Sequence, residues 1–274
     1  MEYSPLKTKE LLEENSFNFK KKFGQNFIVD ENIINSIINK SAIDEETLVI
    51  EVGPGAGSLT NKLVQKAKFV LCYEIDTSLK PILENNLKEY SNYKIIYEDI
   101  LKRNVCEDIK NYNYKKLYLV ANLPYYITTP IILKMIEDKV PFDKMVVMVQ
   151  KEVGDRFKAL PGTKDYNSLT IFLNYYYNVK KIMDVSKNVF IPKPNVDSIV
   201  VEFSKKSVKE SVNEDIFFKL IKDSFVQKRK TLKNNLKSYN LEKISKVLEK
   251  YGYDLSVRAE MLSIDVFIDI ANHL

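Results

Sequence analysis

A doubly wound α/β domain with an antiparallel finish, followed by a small helical domain, is the fold class this sequence predicts. Three observations predict it. Short apolar runs alternate with amphipathic stretches as far as Gln150, the pattern of strands and crossover helices in a mostly parallel sheet. A glycine-rich turn, EVGPGAGSLT, sits between the first such strand and its helix. After Gln150 two neighbouring runs, LTIFLNYYYNVKKIMDV and VDSIVVEF, read as antiparallel strands, and from about Lys205 onward the chain is lysine-rich and helical.

In chain order, DENIINSIINKSAI has helical spacing with Asp30 as its N-cap. TLVIEV reads as a buried strand, SLTNKLVQKA as a helix, KFVLCYEID as a strand, and TSLKPILENNLKEY as a helix opened by Thr77. The alternation continues through YKIIYED and KKLYLVANLP as strands, ITTPIILKMIED as a helix and KMVVMVQ as a strand. Helical spacing returns in DIFFKLIKDSF and EKISKVLEKYGY. The domain boundary is expected between Ser204 and Val208, giving domains over 1–204 and 205–274.

The 274 residues are 45% hydrophobic and 29% charged, enough for a large core and a small second one. The chain lacks an apolar run of membrane-spanning length, and its opening segment mixes acids with lysines around no apolar signal core, so a cytoplasmic protein is expected. Two cysteines, Cys72 and Cys106, and a single histidine, His273, argue against a disulfide framework, a metal site, and Ser-His or Cys-His catalysis. The net charge of +5 is weak evidence for an anionic partner in so lysine-rich a composition. Its clustering says more: Lys20, Lys21 and Lys22 precede FGQNF, and Lys228, Arg229, Lys230 and Lys233 crowd one later segment. A solvated face is the alternative for each cluster.

Gly53, Gly55 and Gly57 let the backbone turn sharply and approach a ligand closely beside a helix N-terminus. The spacing is G-x-G-x-G rather than the G-x-G-x-x-G of dinucleotide sites, and the acidic residue before it suits S-adenosylmethionine. Glu74 ends the second strand, 21 residues after Gly53, where a carboxylate accepts both hydroxyls of a ribose. Asp99 ends the third, where it could accept a hydrogen bond from an adenine amino group. Either acid alone could simply cap the following helix. Together with the glycine turn they place matched groups at successive strand ends along the carboxyl edge, where ligands bind in open α/β sheets.

Asn122-Leu123-Pro124-Tyr125-Tyr126 ends the fourth strand on that same edge. An adenine amino group is a poor nucleophile because its lone pair is delocalised into the ring, so it needs polarisation more than deprotonation. The Asn122 side-chain oxygen and the Leu123 carbonyl could each accept one amino hydrogen and aim the lone pair at a methyl donor. Pro124 confines Leu123 to an extended conformation, and Tyr125 could stack on the base. Methylation at a pyrimidine carbon would instead demand a nucleophilic cysteine. A strand-ending turn with tyrosines for packing is the structural alternative.

KKKFGQNFIVD, EVGPGAGSLT, YEID, EDIL, NLPYYITTP, FIPKPNVDSIV, FVQKRKTLKNNL and RAEMLSIDVF occur in an order that resembles the small-subunit ribosomal RNA adenine dimethyltransferases, the KsgA/Dim1 family. The resemblance runs from about Asn18 to the end. It implies a Rossmann-like methyltransferase sheet and transfer of methyl groups from S-adenosylmethionine to the 6-amino nitrogens of two adjacent adenosines near the 3′ end of small-subunit rRNA. By resemblance the cofactor contacts are Asn26, Ile28, Gly53, Gly55, Glu74, Ile75, Asp99 and Asn122, with Ile28 standing where leucine is common. Asn122, Leu123, Pro124 and Tyr125 are the implied catalytic group.

Phe190 could close the second face of the adenine, with Pro192 and Pro194 stiffening its loop, unless it is simply a core phenylalanine. Lys20, Lys21, Lys22, Phe23, Lys193, Lys228, Arg229 and Lys230 would meet RNA, the latter on a basic QKRKT helix, across the cleft between the domains. The implied partner is small-subunit rRNA or a partly assembled small ribosomal subunit, met by a monomer. Competing readings are a large-subunit rRNA adenine methyltransferase of the macrolide-resistance type and a non-catalytic assembly factor. A nicotinamide oxidoreductase is a third, with the wrong glycine spacing.

Overall fold

The computed structural model describes Phe19, residues 24–207 and residues 211–274. It divides into two compact units, 1–154 with 180–204, and 155–179 with 205–274.

The first unit is built on a mixed seven-stranded sheet of order β4-β3-β2-β5-β6-β9-β7. Its strands are β2 (Thr47–Val52), β3 (Phe69–Tyr73), β4 (Tyr93–Ile96), β5 (Lys116–Asn122), β6 (Lys144–Gln150), β7 (Tyr177–Val185) and β9 (Ser198–Lys205). From β4 to β6 neighbouring strands are parallel, and β9 runs antiparallel to β6. All six residues of β2 are buried, as expected of a strand covered on both faces. The chain winds outward from β2 through β3 to β4, then returns to place β5 on the other side of β2. That reversal makes a topological switch point, and the loops leaving β2 and β5 diverge to open a crevice there. A separate two-stranded ribbon pairs β1 (Phe27–Ile28) with β8 (Phe190–Ile191), Ile28 opposite Phe190.

Local sequence explains most of these elements. Asp30 caps α1 (Glu31–Ser41) by accepting from the amides of Asn32 and Ile33. Gly57 precedes α2 (Ser58–Val64). The cap of the next helical segment is Asp76 rather than Thr77: its carboxylate accepts from the Ser78 amide and opens a 3₁₀ turn, Thr77–Leu79, ahead of α3 (Lys80–Leu87). The short helix α4 (Val105–Ile109) is capped by Asn104, and α5 (Thr128–Glu137) crosses from β5 to β6.

Two expectations are corrected. Residues 169–176, expected as strand, lie in a helix, α7 (Ser168–Tyr176), which follows α6 (Lys151–Phe157). Asn167 forms a reciprocal capping box with Thr170, and six of its nine residues are buried, so the apolar pattern carries no helical stripe. The strand begins only at Tyr177. The second unit therefore takes in 155–179, which a single boundary after Ser204 had assigned to the sheet. The cause is aromatic packing of α7 on α8 (Glu214–Ser224): Phe172 meets Phe218 edge-on at 4.9 Å, Tyr175 lies 4.9 Å from Phe217, and the Tyr176 hydroxyl donates to Glu214 Oε2 at 2.9 Å. The unit is completed by α9 (Leu232–Asn235), α10 (Leu241–Lys250) and α11 (Ile264–His273). Among the described residues no helix is long and apolar enough to cross a membrane.

Candidate active site

An open pocket lies at the carboxyl edge of the first unit's sheet. Asn26, Ile28, Gly53, Gly55, Glu74, Ile75, Asp99 and Asn122 line it, as do Leu123, Pro124 and Tyr125. The structure thus brings together every residue of the expected cofactor and catalytic groups.

The glycine turn forms one wall. Gly53 and Gly55 have φ of +69° and +59°, the left-handed region that side chains disfavour. A Cβ at Gly55 would fall 2.7 Å from the Phe27 ring, so the turn and β1 press together only because that atom is absent. Glu74 stands just beyond β3, buried, with Oε2 accepting from the Gly55 amide at 3.3 Å and Oε1 from the Asp76 amide at 2.8 Å. Burial outweighs these hydrogen bonds and pushes its pKa up to about 7. Asp76 also accepts from Gln25 Nε2 at 2.7 Å, tying the segment before β1 to the loop after β3.

Asp99 lies three residues past β4. Its Oδ1 caps the following 3₁₀ turn through the Leu101 amide at 2.9 Å, which is the structural role considered for it. Oδ2 has no protein partner among the described residues. Deeper in the wall, Glu51 is fully buried at the end of β2, and burial raises its carboxyl to about 8. The Cys72 thiol donates to it across 3.6 Å.

Asn122 closes β5. Its Nδ2 donates to the Asn26 carbonyl at 3.0 Å, which fixes the orientation of the amide, since the reverse would set oxygen against oxygen. Oδ1 is buried and has no hydrogen-bond partner among the described residues. Leaving such an acceptor unsatisfied costs about 1–3 kcal/mol. The Leu123 amide donates to the Met148 carbonyl at 3.1 Å, anchoring the turn to β6. The Pro124 carbonyl is taken by the Ile127 amide and the Thr128 hydroxyl, whereas the Leu123 carbonyl has no donor among the described residues. The pocket therefore holds two neighbouring acceptors without donors.

The two tyrosines part company here. Tyr125 is largely enclosed and its hydroxyl lies 2.6 Å from Ser198 Oγ; Tyr126 is half exposed. Burial raises both phenols. Sequence reasoning missed Ser198; the signal available was its place in VDS, at the start of a strand that would face it inward.

The expected RNA contacts scatter. Phe190 is a correction: its ring is enclosed in the hydrophobic core of the first unit, paired with Ile28 in the ribbon, and has no face left for a base. Lys193 is exposed. Lys228, Arg229 and Lys230 are exposed on turns between α8 and α9, not on a helix, and the Lys228 ammonium donates to the Lys164 carbonyl. Lys20, Lys21, Lys22 and Phe23 lie outside the described residues.

Comparison with known proteins fits this geometry. A dimethyladenosine transferase from Plasmodium falciparum is similar with a TM-score of 0.74 and 28% identity, over 89% of this chain and 95% of that one. The 23S rRNA methyltransferase ErmE shares the fold with a TM-score of 0.70 at 21% identity, over 91% and 99%. Fold and pocket define a Rossmann-like methyltransferase. The family model for ribosomal RNA adenine dimethylase matches residues 16–274, and proteins named ribosomal RNA small subunit methyltransferase A from Staphylococcus aureus strains JH9 and Newman are each 48% identical, over 96% of this chain and 92% of theirs. The chain belongs to the ribosomal RNA adenine dimethylase family.

Proposed function

We propose that this enzyme transfers methyl groups from S-adenosylmethionine to the 6-amino nitrogens of two adjacent adenosines near the 3′ end of small-subunit rRNA, leaving both dimethylated. The observation that carries the reading is the buried, unpartnered Oδ1 of Asn122 beside the free Leu123 carbonyl. An amino group has two hydrogens to give, and these oxygens can take one each. Accepting both pulls the nitrogen out of conjugation with the ring and directs its lone pair. Asn26 and Met148 hold the two acceptors in place through the Asn122 amide and the Leu123 N–H. Tyr125 offers the ring on which the base stacks.

The residues present fit the cofactor. The glycine turn lines the pocket with backbone at Gly53 and Gly55, the buried Glu74 carboxylate suits a ribose diol, and Asp99 Oδ2 is free for an adenine amino hydrogen. Ile28 and Ile75 add apolar walls. When bound, S-adenosylmethionine supplies a sulfonium methyl already activated for attack, so the protein has no base to provide and the displaced proton leaves to solvent.

The S. aureus relatives support small-subunit rRNA, free or in a partly assembled subunit, as the partner. The unit 1–154 with 180–204 is proposed to carry cofactor binding and chemistry, and the unit 155–179 with 205–274 to carry RNA-binding cations, in a cytoplasmic monomer. Incubation with labelled S-adenosylmethionine and unmethylated small or large subunits, followed by mapping of modified nucleotides, tests the reading. Label on two neighbouring small-subunit adenosines is expected. Label confined to large-subunit RNA would overturn it.

A further inference from the structure

We infer that Ser198 is a positioning residue for methyl transfer: its buried hydroxyl fixes the tilt of the Tyr125 ring on which the target adenine stacks. The inference rests on the role proposed above for Tyr125 and adds a residue outside the pocket wall.

Ser198 opens β9 opposite Gln150, the last residue of β6, and is wholly buried. Its Oγ lies 2.6 Å from the Tyr125 hydroxyl, at the short end of the range for O–H···O bonds. The strand end that carries it is pinned on both sides of the preceding residue. The Asp197 carbonyl accepts from the Lys151 amide at 3.0 Å, and the Asp197 carboxylate from the Lys187 amide at 2.9 Å. Tyr125, by contrast, sits on a one-turn 3₁₀ segment whose only anchor at the phenol end, among the described residues, is this bond.

That asymmetry gives the bond its effect. Stacking holds a base against a ring but leaves it free to slide and rotate in the ring plane, while the two acceptors at Asn122 and Leu123 require the amino group within a few tenths of an ångström. A ring held at both ends converts loose stacking into a fixed plane. Misplacement on the order of 1 Å costs roughly 100-fold in rate, so freedom at the phenol should appear in turnover rather than in affinity. The short serine side chain suits the role, because Oγ cannot swing far from the strand.

The test compares Ser198→Ala, Ser198→Thr, Tyr125→Phe and the double variant Ser198→Ala/Tyr125→Phe. Each is measured for kcat and RNA KM, and for fluorescence quenching of RNA carrying 2-aminopurine at the target position, which reports stacking without methylation. Ser198→Ala and Tyr125→Phe should each lower kcat roughly tenfold with KM for RNA nearly unchanged, and should weaken the quenching. The double variant should be no worse than either single one, and Ser198→Thr should stay near the parent. Losses that multiply in the double variant, or full turnover and quenching in both singles, would overturn the inference. If Ser198→Ala does not fold, Tyr125→Phe removes the same bond from the other side and decides the matter against Ser198→Thr. Tyr125→Ala separates the layers. Full quenching in that variant would remove the stacking platform and the reading beneath it, whereas lost quenching there with intact Tyr125→Phe would remove only the role of Ser198.

Discussion

The carboxyl edge of the sheet and the turn Gln227–Lys230 handle polarity in opposite ways. At the sheet edge Glu51, Glu74 and the Asn122 amide are withdrawn from water, and their neighbours can be named atom by atom. On the turn Lys228, Arg229 and Lys230 stand in solvent, and among the described residues the one side-chain bond they make is from Lys228 to a carbonyl. A buried group acts by position, because low dielectric makes each hydrogen bond strong and each unmet one costly. An exposed cation acts by charge, which salt screens and which a neighbouring cation can replace. Chemistry is therefore expected to depend on single atoms at the first place, and RNA affinity on a sum at the second.

The sharpest way to break that contrast is Asn122→Ala. Removing the unpartnered oxygen should lower kcat roughly 10²- to 10³-fold, the scale of deleting one preorganised hydrogen-bonding group from a transition state. Calorimetric binding of S-adenosylhomocysteine and filter binding of RNA should stay within a few-fold of the parent. Near-normal turnover would show that Oδ1 is a bystander.

Charge reversal of Lys228, Arg229 and Lys230 together should act differently. RNA affinity should fall at low salt while kcat at saturating RNA holds, and the slope of log affinity against log salt should shrink by about 2 to 3, near one for each phosphate no longer neutralised. An unchanged slope would return these side chains to a plain solvated face. Reversing one of the three should give a proportionate part of the effect, in contrast to the all-or-none behaviour expected of Asn122.

The same contrast explains what was legible in the sequence. Strands such as Thr47–Val52 and Lys144–Gln150 could be read because burial on both faces demands mostly apolar runs. The pocket wall was legible because Gly53, Gly55, Glu74, Asp99 and Asn122 occupy successive strand ends, and the order of strand ends along the chain needs no knowledge of tertiary contacts. Helix Ser168–Tyr176 was not legible, since burial around most of its circumference erases the 3.6-residue period and leaves the β-branched and aromatic composition of a strand. Phe190 misled for a related reason: a proline loop advertises rigidity but not which way the ring before it turns. Ser198 was missed because its place at the head of a strand hints at burial but not at its partner, which lies 73 residues away.

The narrowest effect, read in stability rather than in turnover, is expected at Glu51. Its folded carboxyl titrates near 8, chiefly because burial disfavours the charged form, against 4.5 for the free side chain. Below pH 4.5 both folded and unfolded chains hold the proton and Glu51 contributes no pH dependence. Between 4.5 and 8 the unfolded chain has released it while the folded chain keeps it, so stability falls as pH rises, by up to about 1.4 kcal/mol per pH unit. A glutamine in its place cannot ionise, and its oxygen can accept from the Cys72 thiol. In urea unfolding, Glu51→Gln should match the parent near pH 5 and exceed it by at least about 1 kcal/mol near pH 8.5. The salt dependence of the difference should be slight, unlike that of the cations on the turn, because a buried charge is poorly screened. A gap that stays constant with pH would mean that Glu51 is ionised in the folded chain, and that water or an unrecognised cation reaches the floor of the pocket.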